Sequence, residues 1–158
     1  MASENPVETL QHSLRDLMRQ NNRAGRVVVA IEGLDAEGAR AFADDFAAAV
    51  AEDGTPVDRA HVPDGETDVR DTVVAPFRAG EGDAVLVVDG VFLQTPARRG
   101  LWNWSVWLEV NPPIGQPRPE LPEAQKHYVH TARPRVAASV IVENSDPAHP
   151  VQVFGDFC

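Results

Sequence analysis

The 158-residue sequence contains one cysteine, Cys158, at its last position. An intramolecular disulfide is therefore excluded, as is a zinc site built on cysteine pairs. Basic residues are also scarce: 14 Lys and Arg stand against 24 Asp and Glu, a net charge of −10. Non-specific nucleic-acid binding and docking on anionic lipid both rest on basic side chains, so neither partner class is expected. No run of about 18 apolar residues occurs, which removes a membrane-spanning helix. Met1 to Pro6 carry neither a basic nor an apolar stretch, so no signal peptide is expected and a cytoplasmic location is. Trp102, Trp104 and Trp107 fall in one stretch and read as strand and loop packing rather than as a stacking platform.

What is present points to an alternation of helices and strands in one domain over residues 1–158. Val7, Leu10, Leu14, Leu17 and Met18 recur at helical spacing and predict an amphipathic helix over 7–22. The β-branched run from Arg26 to Ile31 reads as a strand buried on both faces, as in a parallel sheet. A second apolar stripe, Ala39, Phe42, Ala43, Phe46, Ala47 and Val50, predicts a helix over 37–52. A weaker strand follows over 55–62, and Asp68 is placed to cap a short helix ending at Phe77 or Arg78. The run from Ala84 to Asp89 is the clearest strand, and 104–110 and 138–142 read as two more. Between the last two, five prolines over 111–122 exclude a helix or central strand, and a short helix is expected over 123–131. In the tail, 144–158, Val151 and Val153 alternate with Gln152, a pattern suited to pairing at a sheet edge. The pattern predicts an α/β sandwich with a mainly parallel sheet. In such sheets ligands sit at the carboxyl ends of the strands, so loops 33–38, 61–66 and 89–93 are expected on one functional edge.

The first strand-to-helix junction places Gly33 and Gly38 five residues apart, the glycine frame of a phosphate-binding loop. In such a loop the glycines let backbone N–H groups wrap phosphates, a lysine follows the second glycine, and a hydroxyl residue then holds Mg²⁺. Here Ala39 and Arg40 stand in those two positions, and Asp35 and Glu37 add negative charge. Asp89-Gly90-Val91-Phe92-Leu93 ends the best strand and is followed by Pro96, Arg98, Arg99, Leu101 and Trp102. With the strand 104–110, the paired prolines Pro112 and Pro113, the stretch Asp71 to Arg78 and the segment Val142 to Pro150, these residues resemble, in order, the uridine-kinase-like P-loop nucleoside kinases. The chain resembles a shortened, degenerate member. That resemblance implies a three-layer α/β sandwich around a five-stranded, mainly parallel sheet. It also implies roles near metal and substrate for Asp89 and Asp64, and a phosphate loop at Gly33, Gly38 and Arg40.

The departures shape the expected function. The family's lysine and hydroxyl residue are absent, its nucleoside-gripping residues are matched only by Asp64, and Ile114 to Pro122 replace its lid helix. The expectation is a catalytically impaired pseudoenzyme that binds a protein partner or small molecule as a scaffold, with no cofactor. One alternative is an ATP-dependent nucleoside or small-molecule kinase with an atypical phosphate loop, using ATP and Mg²⁺ with Arg40 and Asp89. A second is a carrier polypeptide modified at Cys158, with Phe157 and Cys158 near solvent. His127 and His130 stand three apart, but no cysteine or well-placed carboxylate accompanies them, so no metal centre is expected.

Overall fold

The computed structural model describes residues 5–154. Helix α1, Pro6–Asn21, starts where the Asn5 side chain accepts a hydrogen bond from the Val7 N–H, and Pro6 occupies a first-turn position that needs no donor. It leads into strand β1, Arg26–Gly33, and helix α2, Ala36–Ala51. Strand β2, Val57–Val62, is followed by a π-helical turn, Arg70–Val74, that runs into helix α3, Ala75–Arg78. The Asp68 carboxylate accepts from the Asp71 N–H and starts that turn, as expected of a capping residue. Strand β3, Ala84–Gly90, a 3₁₀ turn, Arg99–Leu101, and strand β4, Trp104–Glu109, follow. After the proline-rich segment come helix α4, Glu123–Ala132, helix α5, Pro134–Ala137, and strands β5, Val140–Glu143, and β6, Val151–Val153.

The strands form one sheet in the order β2-β3-β1-β4-β5-β6. β1 to β5 run parallel, and β6 joins antiparallel to β5. The sheet thus has six strands rather than five. The difference lies in residues 151–153, which pair at its edge through the alternation of Val151 and Val153 instead of remaining in a tail. Side chains alternate across a strand, and the two faces carry separate cores. Val27, Val29 and Ile31 pack with Leu14, Phe42, Phe46 and Val87 under α1 and α2. Val28 and Ala30 pack with Val69, Val74, Phe77 and Val88 on the opposite face. Trp104 belongs to the first core, where its ring stacks on Phe46 at 5.9 Å. The continuous apolar runs of β1 and β3 follow from this double burial.

Candidate functional site

Parallel pairing brings the carboxyl ends of β1, β2 and β3 abreast. Asp89 lies beside Ile31 and His61, and Gly90 beside Glu32 and Val62. Gly90 is required there, because a Cβ would sit 2.3 Å from the Val62 carbonyl oxygen. The three loops expected on one edge are accordingly neighbours. Alternation then sends the two strand-end acids to opposite faces: Asp89 follows Val85 and Val87 towards α2, whereas Glu32 follows Val28 and Ala30 away from it.

Asp89 is fully buried, and both its oxygens are engaged. Oδ1 accepts from the Arg59 guanidinium and Oδ2 from His61 Nδ1, each at 2.7 Å. Arg59 also donates to the Val87 carbonyl and pairs with Asp44 of α2 at 3.0 Å. The carboxylate thus finds the neighbouring cation that burial demands. Asp64 lies elsewhere, on the exposed loop after β2. Its Oδ1 accepts from the N–H and hydroxyl of Thr67 and from the Glu66 N–H. These bonds, those of Thr67 first, hold its carboxyl below the usual range. Asp64 and Asp89 therefore do separate work: the first shapes a turn, and the second anchors the Arg59 guanidinium and the His61 ring.

On the other face, Glu32 is buried against α4 and the segment after β3. Its Oε1 accepts from the Tyr128 hydroxyl at 2.6 Å and its Oε2 from the Leu93 N–H at 3.1 Å. The Tyr128 oxygen in turn accepts from the Gln94 N–H, and the ring meets Phe92 edge-on. Burial pushes the Glu32 carboxyl up to about 7, against the lowering pull of these donors and of Arg98. Burial, then the Glu32 carboxyl, drives the Tyr128 hydroxyl well above its ordinary value. Arg98 is buried with no carboxylate bonded to it among the described residues; its guanidinium donates to the carbonyls of Asp64, Thr67, Val91 and Phe92. One side chain thus ties the loop after β2 to the loop after β3.

The connection from β1 to α2 is only Leu34 and Asp35. Gly33 is pressed against β4, where a Cβ would lie 2.9 Å from the Leu108 carbonyl oxygen. Helix α2 already begins at Ala36, so Gly38 lies in its first turn, and the Ala39 N–H bonds to the Asp35 carbonyl. The Asp35 carboxylate stands 2.7 Å from where a Cβ on Gly38 would project. Ala39 is buried in the core, and Arg40 is exposed. Nothing in this geometry brings Arg40 to Asp89 or Asp64. Cys158 lies outside the described residues.

Beside this turn, at the end of β4, opens a cleft of about 270 Å³. Leu34, Trp107, Val110 and Val136 supply apolar walls, and Arg118, Arg133 and Arg135 supply positive charge against one carboxylate, Glu109. Arg133 joins α4 to α5 in the left-handed conformation, φ 49° and ψ 60°. A residue with a Cβ is disfavoured there by roughly 1–2 kcal/mol. Arg133→Gly is therefore expected to raise stability by about 1 kcal/mol, read as a higher midpoint in urea unfolding; an unchanged or lower midpoint would show that the arginine side chain offsets the strain.

No protein-family model matches the sequence, and no curated protein matches it. A solved structure described as that of a possible uridine kinase from Bacillus stearothermophilus does match in three dimensions. The TM-score is 0.62 at 16% identity, over 84% of this chain and 97% of that one. The chain has a uridine-kinase-like fold. The expected α/β architecture is thus observed, with one further strand. Among the described residues no helix is long and apolar enough to cross a membrane. Sequence pattern does not single out Glu32, Tyr128 or Arg59. Two of them do carry a signal: Glu32 is a carboxylate directly after the run from Val27 to Ile31, and Tyr128 is the single tyrosine.

Proposed function

We propose that this chain is a catalytically impaired relative of uridine-kinase-like proteins that acts by binding rather than by phosphoryl transfer. The observation that carries this reading is the β1–α2 turn. Transfer of a γ-phosphoryl group depends on a nest of backbone N–H groups, a lysine and a magnesium-bound hydroxyl. Here the helix starts at Ala36, Gly38 is absorbed into it, and the Asp35 carboxylate packs against Gly38. Gly33, Gly38, Ala39 and Val110 leave no enclosed space between them. Asp89 has both oxygens committed to Arg59 and His61. These residues do not fit ATP with Mg²⁺, and Arg40 alone does not change that.

With ATP, Mg²⁺ and uridine, the protein is expected to form no more phosphorylated nucleoside than a protein-free blank. Restoring the two missing chemical groups, Ala39→Lys with Arg40→Ser, is expected to leave the rate at that level. The lysine would also enter the core position that buried Ala39 holds, so the variant should unfold at lower urea concentration. Loss of a charge-assisted hydrogen bond to phosphate is worth roughly 1.5–3 kcal/mol, about ten- to a hundredfold in affinity. Calorimetry is therefore expected to find ATP·Mg²⁺ binding weak or absent. Robust uridine phosphorylation by the unaltered protein would overturn the proposal.

A further inference from the structure

The cleft at the carboxyl end of β4 combines exposed aliphatic walls with three arginines, two of which meet no carboxylate among the described residues. Val136 is 67% exposed, Val110 47% and Leu34 39%, and all three line it. Isolated exposed aliphatic residues need no explanation, but several around one depression mark an interaction site. Among the described residues, Arg135 alone of the three arginines meets a carboxylate, that of Glu109. Arg118 is held instead by a neutral amide: it donates to Asn111 Oδ1 at 2.8 Å, and the Asn111 amide donates to Glu143. Arg133 makes no side-chain hydrogen bond or ion pair among the described residues, and its backbone is held in a disfavoured conformation that projects it at the rim.

We infer that this cleft docks an extended acidic peptide segment of a protein partner, with an apolar side chain seated between Leu34, Trp107 and Val136 and flanking carboxylates paired to Arg118 and Arg133. Charge complementarity selects the sign: on a chain of net charge −10, this cleft gathers three arginines against one carboxylate and so attracts anions. Area selects a chain segment over a small anion. A small molecule inside about 270 Å³ would leave the flanks of Val110 and Val136 in water, whereas a segment laid across the opening covers them. Tryptophan and arginine, both present in this lining, are among the residues that concentrate binding energy at protein interfaces. The inference rests on the reading of the chain as a binding protein and names the partner chemistry.

The test is an amide NMR titration of the isotope-labelled full chain with an acetylated, amidated hexapeptide, Asp-Glu-Leu-Phe-Glu-Asp. The neutral counterpart, Asn-Gln-Leu-Phe-Gln-Asn, and inorganic phosphate serve as separate probes. The acidic peptide is expected to shift Leu34, Val110, Val136 and the Trp107 indole saturably, roughly at millimolar affinity. The neutral peptide should bind about tenfold more weakly. The double variant Arg118→Glu with Arg133→Glu should abolish the shifts while its own spectrum stays dispersed; Arg118→Gln alone, at an exposed side chain, should give a partial loss. The inference is overturned if the acidic peptide causes no shifts there, if charge reversal leaves binding intact, or if phosphate alone reproduces the shifts and displaces the peptide. Failure of the peptide to bind would leave the absence of phosphoryl transfer standing. Phosphoryl transfer from ATP would remove that reading whatever the peptide does.

Discussion

Replacing Arg98 with alanine is expected to destabilise the fold by about 2–4 kcal/mol, since a buried acceptor that loses its donor costs roughly 1–3 kcal/mol. The guanidinium is the common donor for four backbone carbonyls, those of Asp64, Thr67, Val91 and Phe92. Deleting it leaves buried acceptors unpaired and releases the loop after β2 from the loop after β3. Lysine should rescue only in part, because one ammonium cannot reproduce the planar fork of N–H donors. The measurement is equilibrium urea unfolding of the wild type, Arg98→Lys and Arg98→Ala. A loss below about 1 kcal/mol in the alanine variant would mean that water replaces the guanidinium at all four carbonyls.

The second large effect is a pH dependence centred on Glu32. Burial raises its carboxyl from the ordinary 4.5 to about 7. The folded state therefore binds the proton more tightly than the unfolded chain. Its stabilising contribution is fully present below pH 4.5 and is lost as pH rises through about 7. Each tenfold difference in proton affinity between the two states is worth about 1.4 kcal/mol, so the loss amounts to about 3 kcal/mol. Stability followed by urea unfolding should show a falling component between about pH 5 and about 7, and Glu32→Gln should remove it. The glutamine places an N–H₂ or a carbonyl against the Leu93 N–H, so its absolute stability is a poor readout and the slope is the right one. A slope that persists unchanged in Glu32→Gln would assign the titration to another group.

Much of the architecture is legible in local sequence pattern. The β-branched runs of β1 and β3 announce strands buried on both faces, and the stripe from Ala39 to Val50 announces α2. Local chemistry also marks Asp68 as a cap and the proline segment as devoid of regular structure. The glycine frame is visible at the β1–α2 junction, but its conformation is not. That depends on where α2 starts, and a shift to Ala36 moves Gly38 from the loop into the helix. The strand-end network is equally hidden. Glu32 meets Leu93 and Tyr128, 61 and 96 residues further along, and no local periodicity reports such pairings. Asp89 stands out in the sequence as an acid at a strand end; that Arg59 and His61 consume it follows only from the register of β2 against β3.

The strand order also bears on how the chain is made. β1 is synthesised first among the strands but lies in the middle of the sheet, between β3 and β4. It has no hydrogen-bonded neighbour until Ala84 has emerged, and its other edge stays open until Trp104. At roughly 5–20 residues per second, the interval from Gly33 to Ala84 lasts several seconds on the ribosome. Throughout it, Val27 to Ile31 form a short, uncharged, β-branched segment with both edges free, the composition that favours pairing between nascent chains. Arg26 and Glu32 flank it with charge, and α1 and α2, which pack on one face of the sheet, border it in sequence. Helix α2 is complete by Ala51, so cover for that face is available well before the sheet can close. The two helices can thus cover the Val27, Val29 and Ile31 face of β1 early, while its edges and the Val28 and Ala30 face wait for later segments of the chain.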